Sequence, residues 1–360
     1  MHSSIGLLLA AATARVVASS ELAMYWGANN QRKLAAYCNA GEGPDILILS
    51  FLNHFGNGAY PHGTFGECTI NSDGSFSNCD GVASDIDTCH SKGKRTFAAI
   101  GGADTDWQLT SKGNASGVAY SLWNSYARPE HTSNSPRPFG NSYLDGWDID
   151  IGSNQNNEAQ DYLGTLVNSL RGYFPSDSSN TYYISGAPQC PLPEGNMGHS
   201  MMEAQYDYLW IQFYNNYCGA ADLVKNSSQN PDGAGSFNFA DWPGYLANGA
   251  SANAKLHVGL PGDKAEAGDY FYIPSNSLPT VLANSEGVKG YNGFMIYDAG
   301  DSDVVNVNGC HYAQTRCDRY WEALLESSGE WSTSLHFPRF VYLLRRSCCK
   351  SACSVKCRRK

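Results

Sequence analysis

Residues 144–152 of the 360-residue chain read LDGWDIDIG. The run places two carboxylates, Asp148 and Asp150, two positions apart in a short apolar stretch. Because successive side chains of a β-strand point to opposite faces, a strand here puts Asp148, Asp150 and position 152 on one face. Buried charges are costly unless they are paired, so such a ladder is typical of acid/base chemistry. Position 152 is Gly, and the ladder therefore lacks a third carboxyl.

Seven other short apolar or β-branched runs accompany this one. The eight runs cover residues 22–26, 45–53, 95–102, 144–151, 181–188, 208–216, 255–261 and 293–299. Tracts with helical spacing lie between most of them, at residues 84–92, 118–126, 158–173 and 270–285. Alternating strands and helices are typical of a parallel α/β fold. Eight such strands predict a single-domain (β/α)8 TIM barrel rather than a doubly wound sheet.

Polar and glycine residues recur where the predicted strands end. They are Asn29, Asn53, Gly101, Gly102, Asp148, Asp150, Gln212, Tyr214, Asn215 and Asp298. In (β/α)8 barrels the chemistry collects at the C-terminal ends of the strands. Each residue alone could cap a loop, but together they predict one functional site on that face.

The two ends of the chain differ in composition from its body. Residues 1–20 combine a short apolar stretch with small residues, which predicts a secretory signal peptide and an extracellular protein; a buried first helix is the alternative. Residues 21–334 contain no linker or second module and form the predicted barrel domain. Residues 335–360 are a basic, Cys-rich tail, either translated non-coding sequence or a genuine extension that is disordered or disulfide-bonded.

The distribution of charge along the chain limits the classes of partner that it could bind. The last 25 residues hold eight Lys or Arg and no Asp or Glu, which leaves 16 basic against 34 acidic residues elsewhere, a net charge of −18. An acidic body argues against nucleic acid and anionic membranes as partners. No segment after the leader has the roughly 18 unbroken apolar residues of a membrane span. An aromatic content of 12% suits a neutral ligand with flat apolar faces, such as a sugar, and we expect a monomer.

Twelve cysteines in an exported chain predict disulfides rather than thiol catalysis. No group of them shows the paired Cys-x-x-Cys spacing or the neighbouring His ligands of a zinc site, so we expect no metal and no cofactor. Cys310 and Cys317 are close enough in sequence to form a local pair. The sequons at Asn114 and Asn226 agree with export.

Six segments recur along the chain in a characteristic order: AMYWGANN (23–30), LILSFLNHFGNG (47–58), SPRPFGNSYLDGWDID (135–150), APQCPLPE (187–194), LWIQFYNN (209–216) and VGLP (258–261). In sequence, order and spacing these segments resemble the chitinases of glycoside hydrolase family 18, within it the short class III type of plants and fungi. The match covers roughly residues 22–300. The resemblance implies three disulfides: Cys38–Cys89, Cys68–Cys79 and Cys190–Cys218.

The signature strand of this family reads D-x-x-D-x-D-x-E, and in its substrate-assisted mechanism the final Glu acts as general acid and then as base. The resemblance implies that Asp145, Asp148 and Asp150 match the three aspartates. It also implies that Tyr214 holds the acetamido carbonyl of the substrate. The Glu position is Gly152.

Two further departures from the family pattern fall in the same pocket. Ala99 stands where the family has the Ser of its S-x-G-G motif, and we expect this change to remove a partner of the aspartate network. Tyr297 stands where the family usually has a Trp, and we expect a thinner floor beneath the bound sugar. Together with Gly152 they indicate that hydrolysis is impaired.

Binding of a sugar oligomer does not need the acid. The candidate substrate-binding residues are Trp26, Asn53, Gly101, Gly102, Gln189, Gln212, Asn215 and Tyr297. We predict a secreted chitinase-like protein that binds chitin or N-acetylglucosamine oligomers with little or no hydrolysis and hides chitin fragments from host sensing. Two alternatives stay open: an active endochitinase with a substitute acid, for which Glu158 and Asp161 are the nearest candidates, and a barrel repurposed as a protein-binding inhibitor or storage protein.

Overall fold

The computed structural model describes residues 20–29, 32–39, 43–103, 106–132, 135–153, 157–307 and 310–315, without the side chains of residues 157–161 and 307. The predicted leader, except Ser20, and the whole predicted tail lie outside the described residues. In the described part, no helix combines the length and the apolar character needed to cross a membrane.

Eight parallel strands close into a barrel. They are β1 (Glu21–Trp26), β2 (Ile46–Leu52), β3 (Arg95–Gly102), β4 (Gly146–Ile151), β5 (Tyr183–Gly186), β6 (Tyr208–Gln212), β7 (Lys255–Pro261) and β8 (Tyr291–Tyr297). Each strand pairs with its neighbours in chain order, and β1 pairs with both β2 and β8, which closes the sheet. The predicted (β/α)8 barrel is confirmed.

Helices and short ribbons connect the strands. The α-helices of the described part are α1 (Leu34–Tyr37), α2 (Asp80–Ser91), α3 (Lys112–Tyr126), α4 (Asn157–Arg171), α5 (Gly198–Glu203), α6 (Trp242–Leu246), α7 (Lys264–Phe271), α8 (Leu278–Ala283) and α9 (Ala299–Val304). Two antiparallel ribbons, His54–Gly56 with Ala59–His62 and Thr69–Ile70 with Phe76–Ser77, follow β2. A third joins Asn306–Val307 to Cys310–His311.

Alternate residues of each strand face the barrel interior or the surrounding helices. In β1, Tyr25 packs inside the barrel, whereas Met24 and Trp26 pack in the outer layer. The interior is filled by side chains, as is usual for this fold. The register of β3 against β4 places Ala99 beside Asp148. The two-residue alternation therefore puts Asp148 and Asp150 on the inner face, as the sequence predicts.

The prediction of a single helix over residues 270–285 is wrong. Helix α7 ends at Phe271, a 3₁₀ turn covers Ser275–Ser277, and α8 begins at Leu278. Gly268, with a φ of 74°, already interrupts the helical backbone of α7. Pro274 then prevents a continuous helix, because proline lacks an N–H group and disfavours helical backbone in the residue before it. Lys225 Nζ donates hydrogen bonds to three backbone carbonyls exposed at this break, those of Asp269, Tyr270 and Tyr272.

Disulfides tie the loops and helices around the barrel. The three pairs that the resemblance implies are present: Cys38–Cys89, Cys68–Cys79 and Cys190–Cys218. Cys310 is also disulfide-bonded, and its expected partner Cys317 lies outside the described residues. All seven of these described cysteines lie outside the eight barrel strands.

Candidate functional site

Asp148 lies fully buried at the centre of a hydrogen-bond network inside the barrel. Tyr25 Oη donates to its Oδ2 at 2.5 Å, while Ser185 Oγ and Trp210 Nε1 donate to its Oδ1 at 2.6 and 2.9 Å. Burial raises the pKa of Asp148 to about 6, and the three hydrogen bonds oppose that rise. The donors come from β1, β5 and β6, so Asp148 connects strands on several sides of the barrel.

Ala99 does not leave this network short of donors. Its methyl group lies in the interior cluster beside Asp148. Both carboxylate oxygens of Asp148 nevertheless accept hydrogen bonds, because Ser185 supplies a hydroxyl from β5 and Tyr25 another from β1. The hydrogen bonds of Asp148 are therefore satisfied with alanine at position 99, and the expectation that Ala99 removes a partner of the network stays a prediction.

Asp150 lies one inward position nearer to the C-terminal mouth of the barrel and is 6% exposed. Its Oδ1 accepts a hydrogen bond from Gln212 Nε2 at 3.2 Å, and the same nitrogen donates to the Ala187 carbonyl at 2.9 Å. Burial, and then the negative charge of Asp148, raise the pKa of Asp150 well above its ordinary value, while the Gln212 contact lowers it. Asp150 thus holds a proton to a higher pH than an exposed carboxyl does.

Tyr214 follows β6 and is 7% exposed. Its ring packs with Tyr297, Ala267 and Phe271. Burial, followed by the charge of Asp150, raises the pKa of Tyr214 well above its ordinary value, so its hydroxyl stays protonated. Within the described residues this hydroxyl has no hydrogen-bond partner. It is therefore a buried donor that is available to a ligand beside Asp150.

Tyr297 closes the pocket from the end of β8. Its ring meets Tyr25 edge to face, with centroids 5.4 Å apart, and tilts against Phe51 at 6.3 Å. Burial, followed by the charge of Asp150, raises the pKa of Tyr297 above its ordinary value. An aromatic ring is therefore retained at this position, and its hydroxyl is neutral.

Gly152 follows β4 at the mouth, and its backbone is tightly held. Its N–H donates to the Gly102 carbonyl at 3.2 Å, and its carbonyl accepts from Gln189 Nε2 at 3.0 Å and Asn196 Nδ2 at 3.2 Å. A Cβ placed on Gly152 would lie 3.0 Å from the Gly102 oxygen and 3.3 Å from the Ala103 Cα. The neighbouring backbone would have to move by a few tenths of an ångström to admit any side chain.

A second group of carboxyls lies around Asn29 at the mouth, and of these carboxyls the sequence indicated only Asp298. Asn29 Nδ2 donates to Glu266 Oε1 at 3.0 Å and to Asp301 Oδ2 at 3.1 Å, and the Asn29 N–H donates to Asp298 Oδ2 at 3.1 Å. Burial, followed by the charges of Asp298 and Glu266, raises the pKa of Asp301 to about 7. Only Asp298 carried a signal, its position after a strand; Glu266 and Asp301 lie inside α7 and α9.

Of the predicted substrate-binding residues, Trp26 is not brought together with the others. It is 4% exposed, packs in the outer layer of the barrel wall, and donates from Nε1 to the Arg32 carbonyl at 2.9 Å. Tyr25, its neighbour in sequence, points into the interior and contacts Asp148 instead. The alternation along β1 was the signal that could have identified Tyr25.

The remaining predicted residues lie around the mouth. Gly101 and Gly102 end β3 with positive φ, and a Cβ on Gly101 would come within 2.0 Å of the Asp150 carbonyl, so glycine is required there. Asn53 follows β2 and is half-buried. Asn215 follows Tyr214, is exposed and has a φ of 53°.

Two carboxyls near the end of β4 were candidates to substitute for the missing general acid. Glu158 and Asp161 fall in the first two turns of α4, but their side chains lie outside the described residues. Glu194, a buried carboxyl in the loop after β5, accepts hydrogen bonds from the backbone N–H groups of Asn196 and Met197. These bonds give Glu194 a structural role in the loop. Across the described ranges, no cluster of His, Cys, Asp or Glu could hold a metal ion.

Comparison with known proteins relates the chain to fungal endochitinases. It is 35% identical over 303 residues to Endochitinase 2 of Metarhizium robertsii, covering 81% of this chain and 71% of that protein. It is 33% identical over 301 residues to the endochitinase of Saccharomyces cerevisiae, covering 82% of this chain and 50% of that protein. No family model matches the chain.

Solved structures share the barrel. A chitinase from Ipomoea carnea superposes with a TM-score of 0.64 at 27% identity, covering 82% of this chain and 98% of that one. A xylanase and α-amylase inhibitor protein in complex with trehalose gives 0.66 at 26% identity, covering 83% and 98%. A GH18 chitinase from Pseudoalteromonas aurantia, at 0.55 and 20% identity, shares the fold over 84% of this chain and 99% of that one. The chain therefore belongs to the chitinase-like proteins of glycoside hydrolase family 18.

Proposed function

We propose that the protein is secreted and binds chitin or N-acetylglucosamine oligomers at the barrel mouth with little or no hydrolysis. The observation that carries the proposal is Gly152, which follows the aspartate ladder where the resemblance puts the general acid. Glycine can neither protonate a departing oxygen nor activate water. Asp150 and Tyr214 remain in place beside it, so the groups for binding and the group for turnover are separated.

The retained polar groups suit an N-acetylated sugar. Asp150 offers a carboxyl to an acetamido N–H group, and Tyr214 offers a protonated hydroxyl to an acetamido carbonyl. Both are almost completely buried, so a ligand that satisfies them replaces little bulk water. The ring of Tyr297 adds an apolar surface at the end of β8. These contacts favour binding without any proton transfer.

Loss of the acid has a large expected effect on rate. General acid/base catalysis commonly contributes about 10²–10⁴-fold, and in this mechanism one carboxyl serves both half-reactions. A replacement carboxyl would have to come within about 2.6–3.2 Å of the leaving oxygen. Glu158 and Asp161 begin a helix that lies beyond the end of β4, which does not favour such an approach.

Two alternatives have specific support. The curated relatives are named endochitinases, which favours an active enzyme with a substitute acid. The xylanase and α-amylase inhibitor protein has the same fold at 26% identity, which favours a protein-binding role for the barrel. Affinity for chitin separates the inhibitor alternative from our proposal, and turnover separates the endochitinase alternative.

The deciding experiment measures both properties on one preparation. The secreted full chain is tested for retention on insoluble chitin and for cleavage of a fluorogenic chitotetraose, with an active fungal endochitinase assayed in parallel. We expect retention together with a cleavage rate at least about 10³-fold below that of the active enzyme. A rate within tenfold of that enzyme would establish hydrolysis, and absence of retention with absence of competition by millimolar oligomer would reject sugar binding.

We further propose that binding without turnover serves to sequester soluble chitin fragments from host chitin sensing. Each protein molecule then removes about one oligomer by mass action, so suppression is stoichiometric. The test is a chitin-elicited oxidative burst titrated with the protein. Suppression far below the oligomer concentration would indicate hydrolysis instead, and no suppression at severalfold excess would reject sequestration.

A further inference from the structure

Tyr217 is an exposed aromatic side chain in the loop that carries Tyr214. It is 42% exposed, one of four large hydrophobic side chains with such exposure in the described part of the chain. Among the described residues its ring stacks on no other ring and its hydroxyl has no hydrogen-bond partner. A single exposed aromatic is common on any protein surface, so its position decides whether it has a role.

That position is close to the site. The next residue back, Asn216, donates from Nδ2 to Gln189 Oε1 at 3.3 Å. Gln189 in turn donates from Nε2 to the carbonyl of Gly152 at 3.0 Å. Two side chains therefore connect the peptide before Tyr217 to the end of β4. Tyr217 lies on the rim of the mouth, beyond the pocket that holds Asp150 and Tyr214.

The backbone of Tyr217 is held from three directions. On one side is the contact of Asn216 with Gln189, and on the other is Cys218, which is disulfide-bonded to Cys190. Gly235 packs against it from a third side, because a Cβ on Gly235 would lie 1.9 Å from the Tyr217 carbonyl oxygen and 2.9 Å from its Cδ2. A backbone that is held before binding loses little conformational entropy when a ligand covers the side chain it carries.

We infer that Tyr217 forms an additional subsite on the rim, where its ring stacks on a neutral pyranose unit of a chitin oligomer beyond the unit held by Asp150 and Tyr214. The inference rests on the proposed function, because it assigns a further contact to the same oligomer. An exposed aromatic ring offers flat apolar area that a sugar face can cover. The net charge of −18 outside the tail favours a neutral ring over an anionic ligand such as nucleic acid.

The test compares Tyr217→Ala with the matched control Tyr120→Ala. Tyr120 is 44% exposed and lies on α3 in the outer layer of the barrel. Calorimetric titration with the series from chitobiose to chitohexaose is run on both full-chain variants and on the parent. We expect Tyr217→Ala to lower affinity about 3- to 10-fold for the longer oligomers and to leave chitobiose unchanged. Tyr217→Trp should keep the parent affinity, and Tyr120→Ala should change none of the values.

The possible outcomes distinguish failure of this inference from failure of the proposed function. If the parent binds no member of the series, the proposed function and the subsite are both rejected. If the parent binds and Tyr217→Ala matches it at every length, the subsite alone is rejected. An equal loss at every length, chitobiose included, would also reject a separate rim subsite. Equal melting temperatures of parent and variant, which we expect for an exposed side chain, confirm that the comparison is between folded proteins.

Discussion

Tyr25 on β1 donates a 2.5 Å hydrogen bond to Asp148 on β4, and both side chains are fully buried inside the barrel. The two residues are 123 positions apart in sequence. Asp148 is therefore enclosed by the protein and has no surface for a ligand to contact. Asp150, two residues further along the strand, faces the mouth. The aspartate ladder therefore has a fully enclosed inner member and an outer member that lies nearer to the mouth.

Tyr25→Phe should destabilise the protein in a pH-dependent way. A buried hydrogen bond to a charged group contributes about 1.5–3 kcal/mol to the free energy of unfolding. Because this bond lowers the pKa of Asp148 toward about 6, it stabilises the charged carboxylate. The loss should be larger at pH 8 than at pH 5, measured by urea denaturation. Tyr120→Phe on the surface is the control, and an equal loss at both pH values would contradict the explanation.

Asp150→Ala should weaken binding of N-acetylated oligomers by about tenfold or more, because it removes the carboxyl that we propose as the acceptor of the acetamido N–H group. The measurement is calorimetric titration with chitotetraose. Asp87→Ala, which removes an exposed carboxyl from helix α2 outside the barrel, is the control and should bind like the parent. Equal affinity of Asp150→Ala and the parent would mean that the ligand does not occupy the pocket beside Tyr214.

Gly152→Glu should restore a trace of endochitinase activity. The neighbours Asp148, Asp150 and Tyr214 keep their positions, but the new Cβ must displace the backbone of Gly102 and Ala103, which limits recovery. Such overpacking costs about 1–3 kcal/mol of stability, and Gly152→Ala should show the same cost without activity. Cleavage of a fluorogenic oligomer is the measurement.

Gly152→Gln is the matched control for that activity, because it has the size of the glutamate without its carboxyl. We expect it to be inert. Equal activity of the Gln and Glu variants would exclude acid catalysis at this position. A Glu variant that folds, binds chitin and stays inert would show that more than the acid has been lost.

Asp301→Asn should stabilise the protein at alkaline pH. The pKa of Asp301 is raised to about 7 in the folded protein, against about 3.8 in the unfolded chain. Its contribution to stability is therefore fully present below about pH 3.8 and is lost as the pH rises through about 7. The variant should equal the parent near pH 4 and exceed it at pH 8 by on the order of 1 kcal/mol.

Thermal and urea unfolding between pH 4 and 9 measure this difference. Asp241→Asn, which removes a charge from an exposed position, is the control and should leave the pH profile unchanged. A parallel profile for Asp301→Asn and the parent would show that the group around Asn29 does not retain a proton in the folded state.

The barrel could be predicted because each strand is a short apolar run bounded by polar residues. The predicted strands over residues 95–102 and 255–261 have the same bounds as the observed strands β3 and β7. The run at residues 208–216 was predicted too long, since Phe213 is buried like a strand residue although β6 ends at Gln212. Burial alone does not distinguish a strand from the buried loop that continues it.

The site was predictable only where its residues follow a strand or a family motif. Asp148, Asp150, Gln212 and Tyr214 meet that condition and lie together. Trp26 does not lie with them. The sequence pattern gave its distance along β1 but not the face of the strand on which its side chain lies. Glu266 and Asp301 reach the mouth from helices, and nothing in their local sequence shows that a side chain of Asn29 will bridge them.

The disulfides described above have a practical consequence for anyone producing this protein. Their cysteines lie outside the eight strands, whereas Cys190–Cys218 fixes the loops on either side of Gln189 and Tyr217. These bonds would not form in a reducing host, and we expect the loops that carry Gln189 and Tyr217 to lose their fixed positions in such a preparation. A thiol count made before any binding assay would detect such material.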